Sequence, residues 1–360
     1  MTKLKQEKKQ ASKKPTRDDI KAAVCESIIE AIKKGERVWD RPWIGGGMLP
    51  MRVGTRGKSW GVDEGARPYR GINVWHLNHK ATVFGYKSAW WGTFNHWREE
   101  ARKHAIKQGE WKWAETKDGK RYKKPTKNYG IKKGESAVEK MQCVVYWSMI
   151  RIKDKDAPKN ADKDKTIPIM KWFWVFNRDQ TGLPAEPKPK GVKTLKGKRR
   201  IKAEGVVDGI IKDNEVDFRE GGSKAYFSPS QDYVKVPVRE DFKTIEGRLS
   251  TILHELTHWT GHSSRLKRDL TGMFGSEDYA REELVAEMGA AMLCSAVGVP
   301  NKMIEEGLEN HAAYMQSWMR GIKEEKDGGV NLVFRAASKA QKACELLMPE
   351  FFGYVEKKEE

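Results

Sequence analysis

Residues 251–262 read TILHELTHWTGH. The pattern H-E-x-x-H falls on His254, Glu255 and His258. Residues four apart stack on one face of an α-helix, so the two imidazoles can share a metal ion. Glu255 lies about 100° round the helix from His254, where it can act as general base on a water at that metal. Leu249, Ile252, Leu256 and Trp259 fall on the opposite side and face a core. A charged, solvated helix face would not carry the apolar lead-in Ile252–Leu253 or the uncharged Leu256 and Thr257. Gly261 then marks the end of the helix.

Two ligands are not enough. Metzincins use a histidine six residues after the second one, but that position is Ser264, and His262 reads as a surface or capping residue. A carboxylate on a second helix is the alternative. Residues 279–293, YAREELVAEMGAAML, place Glu283 and Glu287 on one face and Leu284, Met288 and Ala291 on another. Ala286, Gly289 and Ala290 are small enough for close helix–helix approach. Glu283 is the expected third ligand and Glu287 the group that orients a histidine; the reverse assignment stays open, and Glu282 is out of phase with both. Three protein ligands leave the fourth position to water, which marks a catalytic site. The expected chemistry is Zn2+-dependent hydrolysis, most naturally of a peptide bond, with Glu255 as the catalytic base. A strand within 225–236 offers an edge to an extended peptide, and Tyr279 is a candidate oxyanion donor.

The rest of the chain has a different character. Of 360 residues, positions 1–249 hold 56 Lys+Arg against 32 Asp+Glu, a net of +24, whereas 250–360 hold 13 against 18, a net of −5. Twelve of the 14 tryptophans also lie before residue 250. That split predicts two domains with different partners. Cations and rings interleave at Trp39, Arg41, Trp43, Arg67, Tyr69, Arg70, Trp90 and Trp91. Single-stranded nucleic acid offers phosphates to the one and unstacked bases to the other, so these eight are the candidate DNA contacts. No groove-docking motif for a duplex is present. The four cysteines are widely spaced with no C-x-x-C, which fits reduced thiols. No run of 18 apolar residues and no secretory leader is present, so the expected location is the cytoplasm of a bacterial host cell, with no membrane partner.

The expected boundaries are a disordered basic arm (1–15), a nucleic-acid-binding domain (16–182), a Pro- and Lys-rich linker (183–200), a metallopeptidase domain (201–352) and a charged tail (353–360). Thr16 with Asp19 predicts a helix start, Ile20, Val24, Ile28 and Ile32 its buried face, and Gly35 its stop. Residues 90–107 read as one helix. Strands are expected in 138–152 and 167–180, in VVDGII (206–211), and in 224–238; helices over 244–260, 276–297, 302–324 and 331–348. The fold class is therefore α+β: a basic N-terminal α+β domain followed by a mostly helical, gluzincin-type metallopeptidase domain.

The chain resembles the ArdC-type antirestriction proteins of plasmids and phages. The blocks that carry the likeness are EAIKKGERVWDRPW, ARPYRGIN, GIKKGESAVEKMQCVVYW and FWVFNRDQTG in the first part. In the second they are FSPSQDYVKVP, LHELTHWTGHSSRLKRD, FGSEDYAREELVAEMGAA and RAASKAQKACELL. The resemblance implies a single-stranded-DNA-binding domain, a zincin-like domain with His254, His258 and a Glu of EELVAE as ligands, and Glu255 as catalytic residue. It also implies protection of incoming DNA from host restriction, with a host restriction component or another peptide as substrate. Two other functions fit the same residues: DNA coating with a non-catalytic zincin domain, and a toxin-like protease that uses its basic half for targeting. Segments 107–128 and 154–165 look like additions to the family pattern.

Overall fold

The computed structural model describes residues 15–36, 43, 48–53, 67–153, 164–185, 197–272, 276–299 and 311–353. The N-terminal part opens on helix α1 (Arg17–Lys33), capped by the expected Thr16–Asp19 box and followed by Gly35 at φ 72°. Strand β1 (Met51–Arg52), helix α2 (Ile72–Val83), strand β2 (Trp90–Gly92) and helix α3 (Phe94–Lys107) follow. Then come the hairpin β3 (Trp111–Glu115) and β4 (Arg121–Pro125), the long ribbon β5 (Cys143–Lys153) and β6 (Asp164–Trp174), and the short β7 (Phe176–Asn177). β1 pairs parallel with β2, and β2 antiparallel with β7; β5 and β6 pair with each other over 11 residues each.

The C-terminal part runs α4 (Gly197–Asp213), β8 (Asp217–Glu220), β9 (Tyr226–Ser228), β10 (Tyr233–Val236), α5 (Ile245–Trp259), α6 (Glu277–Val297), α7 (His311–Glu324), α8 (Val330–Leu347) and α9 (Pro349–Phe352). The sheet order is β8-β10-β9, so β9 lies at an edge. α5 and α6 pack side by side through small residues. A Cβ added to Gly289 would lie 2.6 Å from Thr257 Cγ2, so glycine is what permits that approach.

Three expectations are corrected. VVDGII is not a strand: Ala203, Val207 and Ile210 recur at helical spacing and are buried, so α4 forms through its core-facing stripe despite the β-branched run. Residues 90–107 are not one helix: Trp90–Gly92 pair into a sheet, and Thr93 caps α3 by accepting from the His96 N–H. The linker is shorter than 183–200, because α4 begins at Gly197; residues 186–196 lie outside the described ones. Segment 107–128 contains the β3–β4 hairpin, and most of the loop within 154–165 is outside the described residues.

The two parts share one core. A single cluster joins Ile20, Val24 and Ile28 of α1 to Val333, Ala336 and Ala337 of α8 and to Leu253 and Leu284 of α5 and α6. Polar contacts cross the same boundary. Trp43 Nε1 donates to the Ala291 carbonyl at 3.3 Å, the Gly71 N–H donates to Gln341 at 2.9 Å, and Arg70 pairs with Glu345. Burial of this kind ties the stability of each part to the other. The four cysteines are buried and free. Among the described residues, no helix is long and apolar enough to cross a membrane.

Candidate metal centre

α5 delivers His254 and His258 one turn apart on the face it turns toward α6, while Leu249, Ile252, Leu256 and Trp259 enter the core. Thr244 starts the helix by accepting from the Gly247 N–H. α6 brings Glu283 across. His254 Nε2 lies 3.4 Å from one Glu283 oxygen and His258 Nε2 lies 3.4 Å from the other. The donor atoms of His254, His258 and Glu283 all fall within 4.8 Å of one another, and Glu287 is not in that group. Two imidazoles and one carboxylate, converging and little exposed, could hold a divalent metal as three ligands and leave a fourth position open.

The electrostatics favour positive charge at the point of convergence. Burial pushes the Glu283 carboxyl up, but His258 and His254 outweigh it and hold it well below the usual carboxylate range. Burial opposes protonation of both histidines, yet Glu283 lifts His254 above its ordinary pKa, and Glu283 with Glu282 lifts His258 well above it. A metal cation satisfies the same field that these protons do. Glu255 is buried beside the ligands, and burial pushes its carboxyl up. The Phe227 backbone opposes that rise, and edge strand β9 packs against α5.

The carboxylate set against the second ring nitrogen of His258 is that of Glu282, where Glu287 was expected. His258 Nδ1 lies 3.3 Å from Glu282 Oε1. The buried Arg268 clamps that carboxylate with Nε at 3.0 Å and Nη2 at 2.8 Å, and reaches Thr260 Oγ1 at 2.8 Å and the Thr257 carbonyl at 2.6 Å. Periodicity treated α6 as one face. His258 instead sits between positions 282 and 283 and uses a different ring nitrogen for each, and the arginine that fixes the arrangement comes from the loop after α5. Gly261 leaves room for it, since a Cβ there would lie 2.9 Å from Arg268 Nη2. His262 lies apart, against Ser264 at 2.7 Å and Asp232 at 3.5 Å. Glu282→Gln is expected to weaken divalent-cation affinity about 10–100-fold with the fold retained. Titration with a competing chelator checks this, and wild-type affinity would remove Glu282 from the site.

The aromatic DNA candidates are placed differently from expectation. Trp43, Tyr69, Trp90 and Trp91 are buried. Trp43 packs on Trp75 at 4.9 Å, Tyr69 donates its hydroxyl to the Trp91 carbonyl at 3.2 Å, and Trp90 and Trp91 form β2. Their apolar bulk fills the core, so they offer no open ring face to a base. Arg67 and Arg70 do line an open groove of about 2110 Å³. Trp39 and Arg41 lie outside the described residues. Exposed rings among the described residues include Trp113 and Tyr122 of the β3–β4 hairpin and three that sequence reasoning passed over, Tyr146, Trp147 and Phe173 on the β5–β6 ribbon. A signal was available, because Tyr146 and Trp147 are adjacent in a strand and must project to opposite faces.

Residues 18–176 match the family described as the N-terminal domain of anti-restriction factor ArdC, and residues 205–339 match the zincin-like metallopeptidase family. The crystal structure of antirestriction protein ArdC from plasmid R388 in its metal-free form is 30% identical, with a TM-score of 0.62, over 92% of this chain and 98% of that one. The chain belongs to the ArdC antirestriction family. The same R388 protein has also been solved with Mn(II) bound. A protein of Sinorhizobium fredii (strain NBRC 101917 / NGR234), y4eC, is 28% identical over 92% of both chains. DNA primase TraC of Escherichia coli is 31% identical over 89% of this chain, which spans only 19% of its length. As an ArdC-family chain with a zincin-like C-terminal domain, the protein has a centre of the divalent-metal type.

Proposed function

We propose that the protein is an antirestriction factor that joins a Zn2+-dependent peptidase centre to a single-stranded-DNA-binding domain. The observation that carries this reading is the convergence of His254, His258 and Glu283 within 4.8 Å beside a buried Glu255. His254, His258 and Glu283 would hold the cation, which when bound supplies Lewis acidity toward a carbonyl and an attacking water. Glu255 accepts the proton of that water and returns it to the leaving amine. Glu282 and Arg268 fix the His258 ring so that Nε2 faces the centre. Edge strand β9, which packs against α5, receives an extended peptide by strand addition.

Charge supports the DNA half: a net of +24 over residues 1–249 raises the local concentration of any polyanion. The R388 relative is an antirestriction protein and the Escherichia coli relatives are DNA primases, which fits a role on incoming DNA; the peptide target is then a host restriction component. The test is transfer of unmodified DNA into a restricting host that expresses the full chain. Wild type raises recovery of that DNA, and His258→Ala returns it to the level of cells without the protein. Equal recovery with both would leave the metal centre out of protection and favour coating of the DNA alone.

A further inference from the structure

The metal centre makes no use of the groove beside the β5–β6 ribbon. We propose that this groove is the path of single-stranded DNA, with the stacked pair Tyr146–Phe173 as its base platform and Lys342 of α8 as a phosphate contact from the C-terminal domain. This path rests on the single-strand reading above and adds two things to it: the residues involved, and the participation of both domains in one site.

The platform follows from strand register. In the ribbon Val144 faces Phe173 and Tyr146 faces Lys171, and directly opposed residues project to the same side. Tyr146 and Phe173 are therefore diagonal neighbours on one face, and their rings stack with centroids 5.0 Å apart at an interplanar angle of 4°. Phe173 is 51% exposed and Tyr146 38%, so an outer ring face remains open. Flat, exposed, parallel rings cost apolar hydration and return nothing to the core. They suit a partner with flat faces of its own.

The surroundings select the partner. The groove is larger than the range of about 300–1,000 Å³ typical of small-molecule pockets. Eight lysines and arginines line it against three glutamates. Two of those glutamates are engaged by cations of their own helix, Glu99 by Arg102 at 3.1 Å and Glu100 by Lys103 at 2.9 Å. Arg98 and Lys107 of α3 and Arg67 form the N-terminal wall, and Lys342 comes from α8. The contacts of Gly71 with Gln341 and of Arg70 with Glu345 hold α8 against that wall. At the rim Trp147 meets Phe334 of α8 at 6.3 Å. A long cationic groove with a stacking platform matches a polyanion whose bases are open. A duplex hides its base faces, whereas a single strand offers them.

The experiment is fluorescence anisotropy of the full chain with labelled oligothymidine and with the matching dA·dT duplex, across a salt series. Tyr146→Ala/Phe173→Ala is expected to weaken single-strand binding about ten-fold or more and duplex binding much less. Lys342→Gln is expected to reduce the slope of log Kd against log salt by about 0.7, one phosphate contact on a single strand. Tyr122→Ala, on the β3–β4 hairpin away from the groove lining, is expected to match wild type. All the substituted side chains are at the surface, and thermal unfolding by circular dichroism checks that each variant folds. Wild-type affinity in the ring variant, equal losses on strand and duplex, or an unchanged slope for Lys342→Gln would each overturn this path while leaving the single-strand reading intact. A wild-type chain that does not bind oligothymidine would overturn that reading itself.

Discussion

Glu283→Ala is expected to purify almost free of divalent cation, with affinity lowered roughly a hundred-fold or more. Groups that only orient ligands cost about 10–100-fold when removed, so loss of a direct ligand exceeds that range. Glu283 is also the anion of the set. Its two oxygens divide between His254 and His258 at 3.4 Å each, and without it both rings lose the carboxylate that faces them together. Elemental analysis of the purified chains measures the loss. Thermal unfolding provides a second readout. At a free Zn2+ concentration about a hundred times its Kd, wild type gains roughly 2.7 kcal/mol from mass action, and the variant gains almost nothing. Glu287→Ala serves as the companion and is expected to keep its cation, because Glu287 stands outside the converging group. Unchanged metal content in Glu283→Ala would refute the assignment.

Glu255→Gln is expected to keep the cation and the fold and to lose hydrolysis by about 10²–10⁴-fold, the contribution of a positioned general base. The amide has the shape of the carboxylate and cannot accept a proton. Folding should tolerate the change, because Glu255 is buried and burial already disfavours its charge. Cleavage is read by labelling new N-termini in extracts of cells that express each chain. Hydrolysis at the wild-type rate in Glu255→Gln would remove it as the base. If recovery of unmodified DNA stays high in this variant while cleavage vanishes, protection rests on the DNA-binding half.

How much of this was legible beforehand depended on the range of each signal. The capping box at Thr16 and the metal helix over Ile245–Trp259 are local, and both were read correctly. Each depends on backbone donors and side chains within one or two turns. VVDGII failed because β-branched propensity is a weak prior against a buried helical stripe. The aromatic residues failed for a related reason. Trp43 and Trp91 lie in a cation-rich sequence, but whether a ring is core or surface depends on what packs over it, and in this protein that includes α6.

The sequence alone determined the helix that carries His254 and His258, the Glu255 carboxylate beside them, and the charge asymmetry, because these depend on spacing and composition. Only the tertiary structure decided that Glu283 rather than Glu287 meets the histidines, since that depends on how far α6 slides along α5. Only it brought Arg268 and Glu282 behind His258, through a loop with no periodicity to read. It also joined the two parts through one core, so that α8 forms a wall of a groove belonging to the basic half. A chain shows which faces its elements have; which faces meet is settled by packing, where burial of apolar area and close fit outweigh local preference.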